Sequence, residues 1–171
     1  MKDPDIVGNL INQFYFTNEI FLTFSMIEKK HIGHEFSSLT LPVEEGRLKF
    51  LAKVLGLNQG IYTDPAAAQA AGLPGLLAPP TFPFMLEIDA LELVDLVSLL
   101  GESIGNLLHG EENFTYHGPI YAGDEITVSK KITDIFDKKE GTLQFVITET
   151  EFFNHNGEKV AETRTNYVFR H

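Results

Sequence analysis

Two histidines, His31 and His34, stand three residues apart, a spacing that two ligands of one metal ion would use. A zinc site needs three or four protein donors. No third histidine or cysteine stands nearby and the chain has no cysteine at all, so no metal site is expected, and thiolate and disulfide chemistry are excluded. The other groups with useful chemistry are scattered: Tyr62, Asp64, Glu87, Asp89, His109 and Glu111. Asp64 precedes Pro65 and a run of alanines, so it reads as a helix cap as readily as an acid or base. His109 reads either as a polar residue ending a strand or as a proton carrier. Glu87 and Asp89 fall on an apolar helix, as water-activating carboxylates or as its solvated edge.

The elements that must position these groups change character midway along the chain. Leu76 to Leu86 is apolar and contains Pro79, Pro80 and Pro83. Prolines at that density cannot lie inside a central strand, since each removes a ladder donor, but they suit the first turn of a helix. Pro79–Pro80 therefore leads into a helix from Thr81 to about Leu91 that is apolar on most sides, and such a helix is buried. Before it, alternation over 37–43 predicts a strand. Leu48, Leu51, Ala52 and Leu55 form the stripe of a helix over 44–55. Residues 57–63 read as a loop and 64–72 as a short capped helix. After the buried helix come a further helix over 91–100 and strands over 106–116, 125–136, 143–153 and 158–169. Ile126, Val128, Lys130 and Ile132 share one face of the second of these, and Asn156–Gly157 turns the last hairpin. Residues 1–31 fit neither helix nor strand and read as an N-terminal extension to a single domain over 32–171.

Composition narrows the partners. The net charge of −11, from 13 Lys and Arg against 24 Asp and Glu, argues against nucleic acid and against an anionic membrane. No apolar run approaches the ~20 residues of a membrane span, and the first residues lack the pattern of a signal peptide, so a cytoplasmic protein is expected. Fourteen phenylalanines without a tryptophan serve either as plain core filling or as the walls of an apolar tunnel.

The α+β order, one buried helix followed by antiparallel strands, is that of a curved sheet wrapped around a helix. Gly33-His34-Glu35-Phe36, Tyr62-Thr63-Asp64-Pro65-Ala66-Ala67-Ala68, Ala78-Pro79-Pro80-Thr81-Phe82, Leu108-His109-Gly110-Glu111-Glu112-Asn113-Phe114-Thr115-Tyr116, Pro119-Ile120 and Ala122-Gly123-Asp124 occur in this order. The series resembles the MaoC-like dehydratase family, over roughly residues 32 to 170, and in particular its N-terminal-type domain. The resemblance implies a hotdog fold that acts on acyl thioesters of coenzyme A or acyl carrier protein. The reaction implied is the interconversion of trans-2-enoyl and (R)-3-hydroxyacyl thioesters, without a resident cofactor.

Active members of that family use an Asp and a His five residues apart, in a pattern like Asp-x-Asn-Pro-x-His, with backbone donors at the start of the central helix. Adding water across a conjugated thioester needs a base and an acid and donors for the developing enolate oxygen. Here Leu57 and Tyr62 stand where the Asp and the His are expected, and Pro79-Pro80 replaces a His-Gly. Leu57 cannot ionise, a phenol is a poor base at neutral pH, which puts Tyr62 at a disadvantage, and Pro80 has no N–H. The chain thus resembles the non-catalytic subunit of heterodimeric (3R)-hydroxyacyl-ACP dehydratases, with no catalytic residue of its own and with Tyr62, Pro80, Thr81, Phe82, Phe84, His109 and Gly110 as substrate-binding candidates. Phe114 joins Phe82 and Phe84 as a candidate tunnel wall. A homodimer, or a heterodimer with a catalytic hotdog subunit, is implied. The alternatives are an independently active hydratase using His109, Asp64, Glu111 or Tyr62, a thioesterase-type hotdog using Glu87 or Asp89, and an acyl-binding scaffold. Lys130, Lys131, Lys138 and Lys139 are candidate phosphate contacts, or a solvated edge.

Overall fold

The computed structural model describes residues 26–171, so the expected N-terminal extension lies mostly outside the described residues. Five strands, β1 (Leu39–Pro42), β2 (Leu107–Tyr116), β3 (Glu125–Lys138), β4 (Leu143–Phe153) and β5 (Lys159–Arg170), form one antiparallel sheet in the order β1-β3-β4-β5-β2. The helices are α1 (Glu45–Val54), α2 (Gly60–Thr63), α3 (Pro65–Ala70), α4 (Phe82–Ala90) and α5 (Leu93–Leu100). α4 packs against β1, β3 and β5, which is the helix-in-sheet arrangement of the hotdog fold.

Local chemistry explains most boundaries. Leu48 and Ala52 of the α1 stripe are fully buried, whereas Leu55 lies past the helix end and is exposed. The segment expected as a loop over 57–63 contains instead the single turn α2, which packs so closely on α3 that a Cβ on Gly60 would stand 2.6 Å from Ala67 Cβ. Alternation and turn signals miss it because a four-residue helix has too few positions for a periodic stripe. Asp64 caps α3, its Oδ1 accepting from the Ala66 N–H at 2.9 Å. α4 begins one residue later than expected, because Thr81 takes the left-handed conformation with φ of 70°. For a β-branched residue that costs on the order of 1–2 kcal/mol.

The core has two apolar halves. One gathers Leu48, Leu76, Phe82, Leu86, Ile126, Val128 and Phe152. The other gathers Leu96, Val97, Leu100, Ile132, Ile135, Val146 and Phe169. Between them the inner face of the sheet is polar. Pairing places Lys130 opposite Thr150 and Thr150 opposite Thr163. The next row sets Thr148 opposite Thr165 and Thr165 opposite Glu112. This belt faces Glu87, on the sheet-facing side of α4. The solvated-edge reading of Lys130 and of Glu87 is therefore corrected: both are buried, at 7% and 2% exposure. The period-2 pattern that puts Lys130 among Ile126, Val128 and Ile132 already carried it inward.

Candidate functional site

The first candidate region is the N-terminal end of α4. Helices leave their first N–H groups without intrahelical partners, which makes them natural oxyanion donors. Here each is occupied or missing. The Thr81 N–H donates to the Tyr116 hydroxyl at 3.0 Å, the Phe82 N–H to the Pro79 carbonyl at 3.2 Å, and the Phe84 N–H to the Thr81 carbonyl at 3.1 Å. Pro83 has no N–H to offer. Beside this helix end lies an apolar groove of about 180 Å³, lined by Tyr62, Pro79, Pro80, Pro83 and Tyr116 among others. Tyr62 and Pro80 thus meet in one groove, as their places in the pattern imply, and Leu57 is not among its lining residues. Tyr116 went unrecognised in the sequence, where it is one more aromatic residue in a strand. Its contact with Thr81 spans 35 residues, and no local signal reports it.

A second region lies along the body of α4. Glu87 is held by three partners: its Oε1 accepts from Lys130 Nζ at 2.6 Å and from Thr165 Oγ1 at 3.2 Å, and its Oε2 from Thr163 Oγ1 at 2.6 Å. Lys130 also donates to the Tyr167 hydroxyl at 3.0 Å. Burial opposes the charge on Lys130, but the adjacent Glu87 carboxylate outweighs it and raises the pKa, so the ammonium persists. Burial raises the Tyr167 phenol, keeping it protonated. On the far side of the belt is Glu112, whose two carboxylate oxygens lack hydrogen-bond partners among the described residues. Burial first, and repulsion from Glu87 second, push it up to about 7. His109 Nε2 approaches Glu112 Oε2 to 3.2 Å, a charge contact when the ring is protonated.

The sequence-derived candidates do not converge. Tyr62 and Pro80 line the groove, while Phe84 and His109 line a separate cavity and meet edge to face with ring centroids 5.2 Å apart. Thr81 forms the helix N-cap, and Phe82 is fully buried in the core. Gly110 sits at the β2 bulge, where a Cβ would meet Val168 Cγ2 at 2.9 Å and the Asn166 carbonyl at 3.0 Å, so its place is set by backbone approach. Phe114 stacks on Tyr116 with centroids 6.2 Å apart. Asp64 is the cap already described, and Asp89 pairs with Arg47 on the surface. Among the cationic candidates, Lys138 lies over the Phe136 and Phe145 rings and Lys131 faces Glu149 at 4.0 Å. No helix among the described residues is long and apolar enough to cross a membrane.

Comparison with known proteins places this geometry. A family described as the FAS1-like, dehydratase domain region matches residues 30–163. A UPF0336 protein of Streptomyces coelicolor is 35% identical over 146 residues, 84% of this chain and 95% of the relative. Among solved structures, a MaoC-like dehydratase superposes with a TM-score of 0.71 at 25% identity, over 82% of this chain and 42% of that one. The C-terminally truncated HadBC (3R)-hydroxyacyl-ACP dehydratase complex from Mycobacterium tuberculosis has a chain that superposes with a TM-score of 0.69 at 21% identity. That match covers 81% of this chain and 96% of the other.

Proposed function

The chain belongs to the FAS1-like dehydratase-region family, with the hotdog fold of MaoC-like dehydratases, and from that premise we propose that it is an acyl-thioester-binding subunit of a (3R)-3-hydroxyacyl thioester dehydratase, completed by a second hotdog subunit that carries the Asp and the His. The observation that supports this most is the closed N-terminal end of α4, where Pro80 has no N–H and Tyr116 takes that of Thr81, so that neither is free for an enolate oxygen. Leu57 and Tyr62 in place of an acid and a base point the same way. In this reading the substrate arrives on coenzyme A or acyl carrier protein and no resident cofactor takes part. The pairing proposed, a dimer with the catalytic hotdog, also covers sheet edges that β1 and β2 leave unpaired among the described residues.

The thioesterase-type alternative is weakened by the same geometry, because both Glu87 oxygens already accept hydrogen bonds, from Lys130, Thr163 and Thr165. One observation favours independent activity, the contact of His109 with a Glu112 that titrates near neutrality. The assay that separates the readings is loss of enoyl absorbance from crotonyl-CoA under excess protein. The expected result is negligible hydration by the chain alone and turnover once a hotdog subunit with an intact dyad is added. Turnover by the chain alone that disappears in His109→Ala overturns the subunit reading and assigns the chemistry to His109.

A further inference from the structure

A cavity of about 210 Å³ opens beside the body of α4 and shares no lining residue with the groove at its N-terminal end. Ile88, Leu91, Leu93, Ile104 and Leu107 give it apolar walls, and its floor is polar, with Lys130, Glu87, Tyr167 and His109. An ammonium group has three N–H donors. Lys130 gives two of them to Glu87 and Tyr167, and the third has no acceptor among the described residues. Tyr167 accepts from Lys130, and its own O–H has no acceptor among the described residues either. Both side chains are more than nine-tenths buried. Two unmatched donors at the bottom of an apolar recess are a demand for one acceptor, since a buried donor left without one keeps its full desolvation penalty.

We propose that this cavity binds a short apolar chain carrying one neutral oxygen, a ketone or hydroxyl, which accepts from Lys130 and Tyr167. Charge decides between acceptors. The Lys130 ammonium is already neutralised by Glu87 at 2.6 Å, and Glu112 adds a second carboxyl close to Glu87. A carboxylate ligand would enter the field of two acids facing one cation, whereas a carbonyl or hydroxyl oxygen satisfies the donors without adding charge. An amine ligand would confront the ammonium and offer it no lone pair when protonated. The volume lies below the ~300–1,000 Å³ of a drug-sized site, so it takes a chain segment and excludes a whole carrier group. The ligand is either a free small molecule or the far end of an acyl chain, and the site follows from the donors in both cases, independently of the thioester reading.

Titration of the full chain with 2-hexanone, hexanoate and hexylamine, followed by ligand-observed NMR, tests this. The ketone should bind at least about ten times more tightly than the acid or the amine. Tyr167→Phe, which leaves the Glu87–Lys130 pair intact, should weaken the ketone about 3–10-fold, the worth of one hydrogen bond. Ile88→Trp, at the exposed rim, should block the mouth and abolish binding without disturbing the core. Competition of 2-hexanone by 5-oxohexanoyl-CoA but not by hexanoyl-CoA assigns the site to the end of an acyl chain; ketone binding without competition assigns it to a free ligand. The proposal is overturned if the ketone does not bind, if hexanoate binds as well, or if affinity is unchanged in both variants.

Discussion

At the N-terminal end of α4, backbone donors are consumed one by one and the groove beside them is apolar. About a turn and a half further along the same helix, Glu87 gathers an ammonium and two hydroxyls in the middle of the core. The contrast teaches that the polar groups of this helix are concentrated along its body, against the sheet, rather than at its N-terminal end. A polar group at the helix end is optional, because water reaches it. One in the core costs free energy wherever it is left unmatched, because bulk water does not reach it.

The sharpest way to break the contrast is to remove one partner of the buried pair. Glu87→Ala or Lys130→Met should each cost about 3–5 kcal/mol in denaturant unfolding, since each strands a buried charge. The double replacement Glu87→Leu with Lys130→Met should cost less than either single change, as an unpaired charge is then absent. Additive losses would show that the pair does not act as a unit.

The helix end is tested by activity. A Leu57→Asp, Tyr62→His variant should remain nearly inert with crotonyl-CoA, because the Thr81 N–H is still taken by Tyr116. Adding Tyr116→Phe frees that donor and should raise hydration about 10²–10³-fold over the double variant. If the double variant is already as active as the triple, Tyr116 does not block the oxyanion position.

Glu112 gives a pH signature. Its carboxyl titrates at about 7 in the fold against an ordinary 4.5. Well below 4.5 both folded and unfolded chains hold the proton and nothing is lost. Between 4.5 and 7 the unfolded chain has released it and the folded chain has not, so stability falls as pH rises, and above 7 the loss levels off. Glu112→Gln should therefore stabilise the protein by on the order of 3 kcal/mol at pH 8 and by less than about 1 kcal/mol at pH 5. Equal stability of variant and wild type at both pH values removes Glu112 from the belt's electrostatics.

The smallest effects belong to the N-cap. Tyr116→Phe should cost about 1 kcal/mol through one partly exposed hydrogen bond. Thr81→Gly should gain about 1 kcal/mol by relieving the left-handed backbone, both read from unfolding midpoints. A loss in Thr81→Gly would mean that the threonine side chain makes up for its φ.

How much of this was legible in the sequence follows from the range of the interactions. The wrapped helix, the strands after it and the hotdog class could be read, because proline placement and two-residue alternation are local signals. That Leu57 and Tyr62 stand where an Asp and a His are expected came from the family resemblance and from no local pattern. The belt was half visible: Lys130 shared a face with Ile126, Val128 and Ile132, and the threonines at 148, 150, 163 and 165 recur at that same two-residue spacing. Surface lysines are common enough that the exposed reading prevailed, and only the pairing of Lys130 with Thr150 and of Thr150 with Thr163 shows them as one row. The closure of Thr81 by Tyr116 and the division of the site candidates between two recesses rest on contacts far apart along the chain, which no spacing rule reaches.

The belt also bears on how the strands find their partners. In-and-out alternation penalises any misalignment by an odd number of residues, because the apolar set would then face water. It is blind to a slip of two, which keeps every side chain on its own side. A two-residue slip of β4 against β5 would take a threonine out of its row and slide an aliphatic or aromatic side chain into the belt. The two threonine rows, Thr148 with Thr165 and Thr150 with Thr163, therefore mark the even misalignments that apolar patterning leaves degenerate. The buried charge above them works as a ruler for assembling the sheet before it works as anything else.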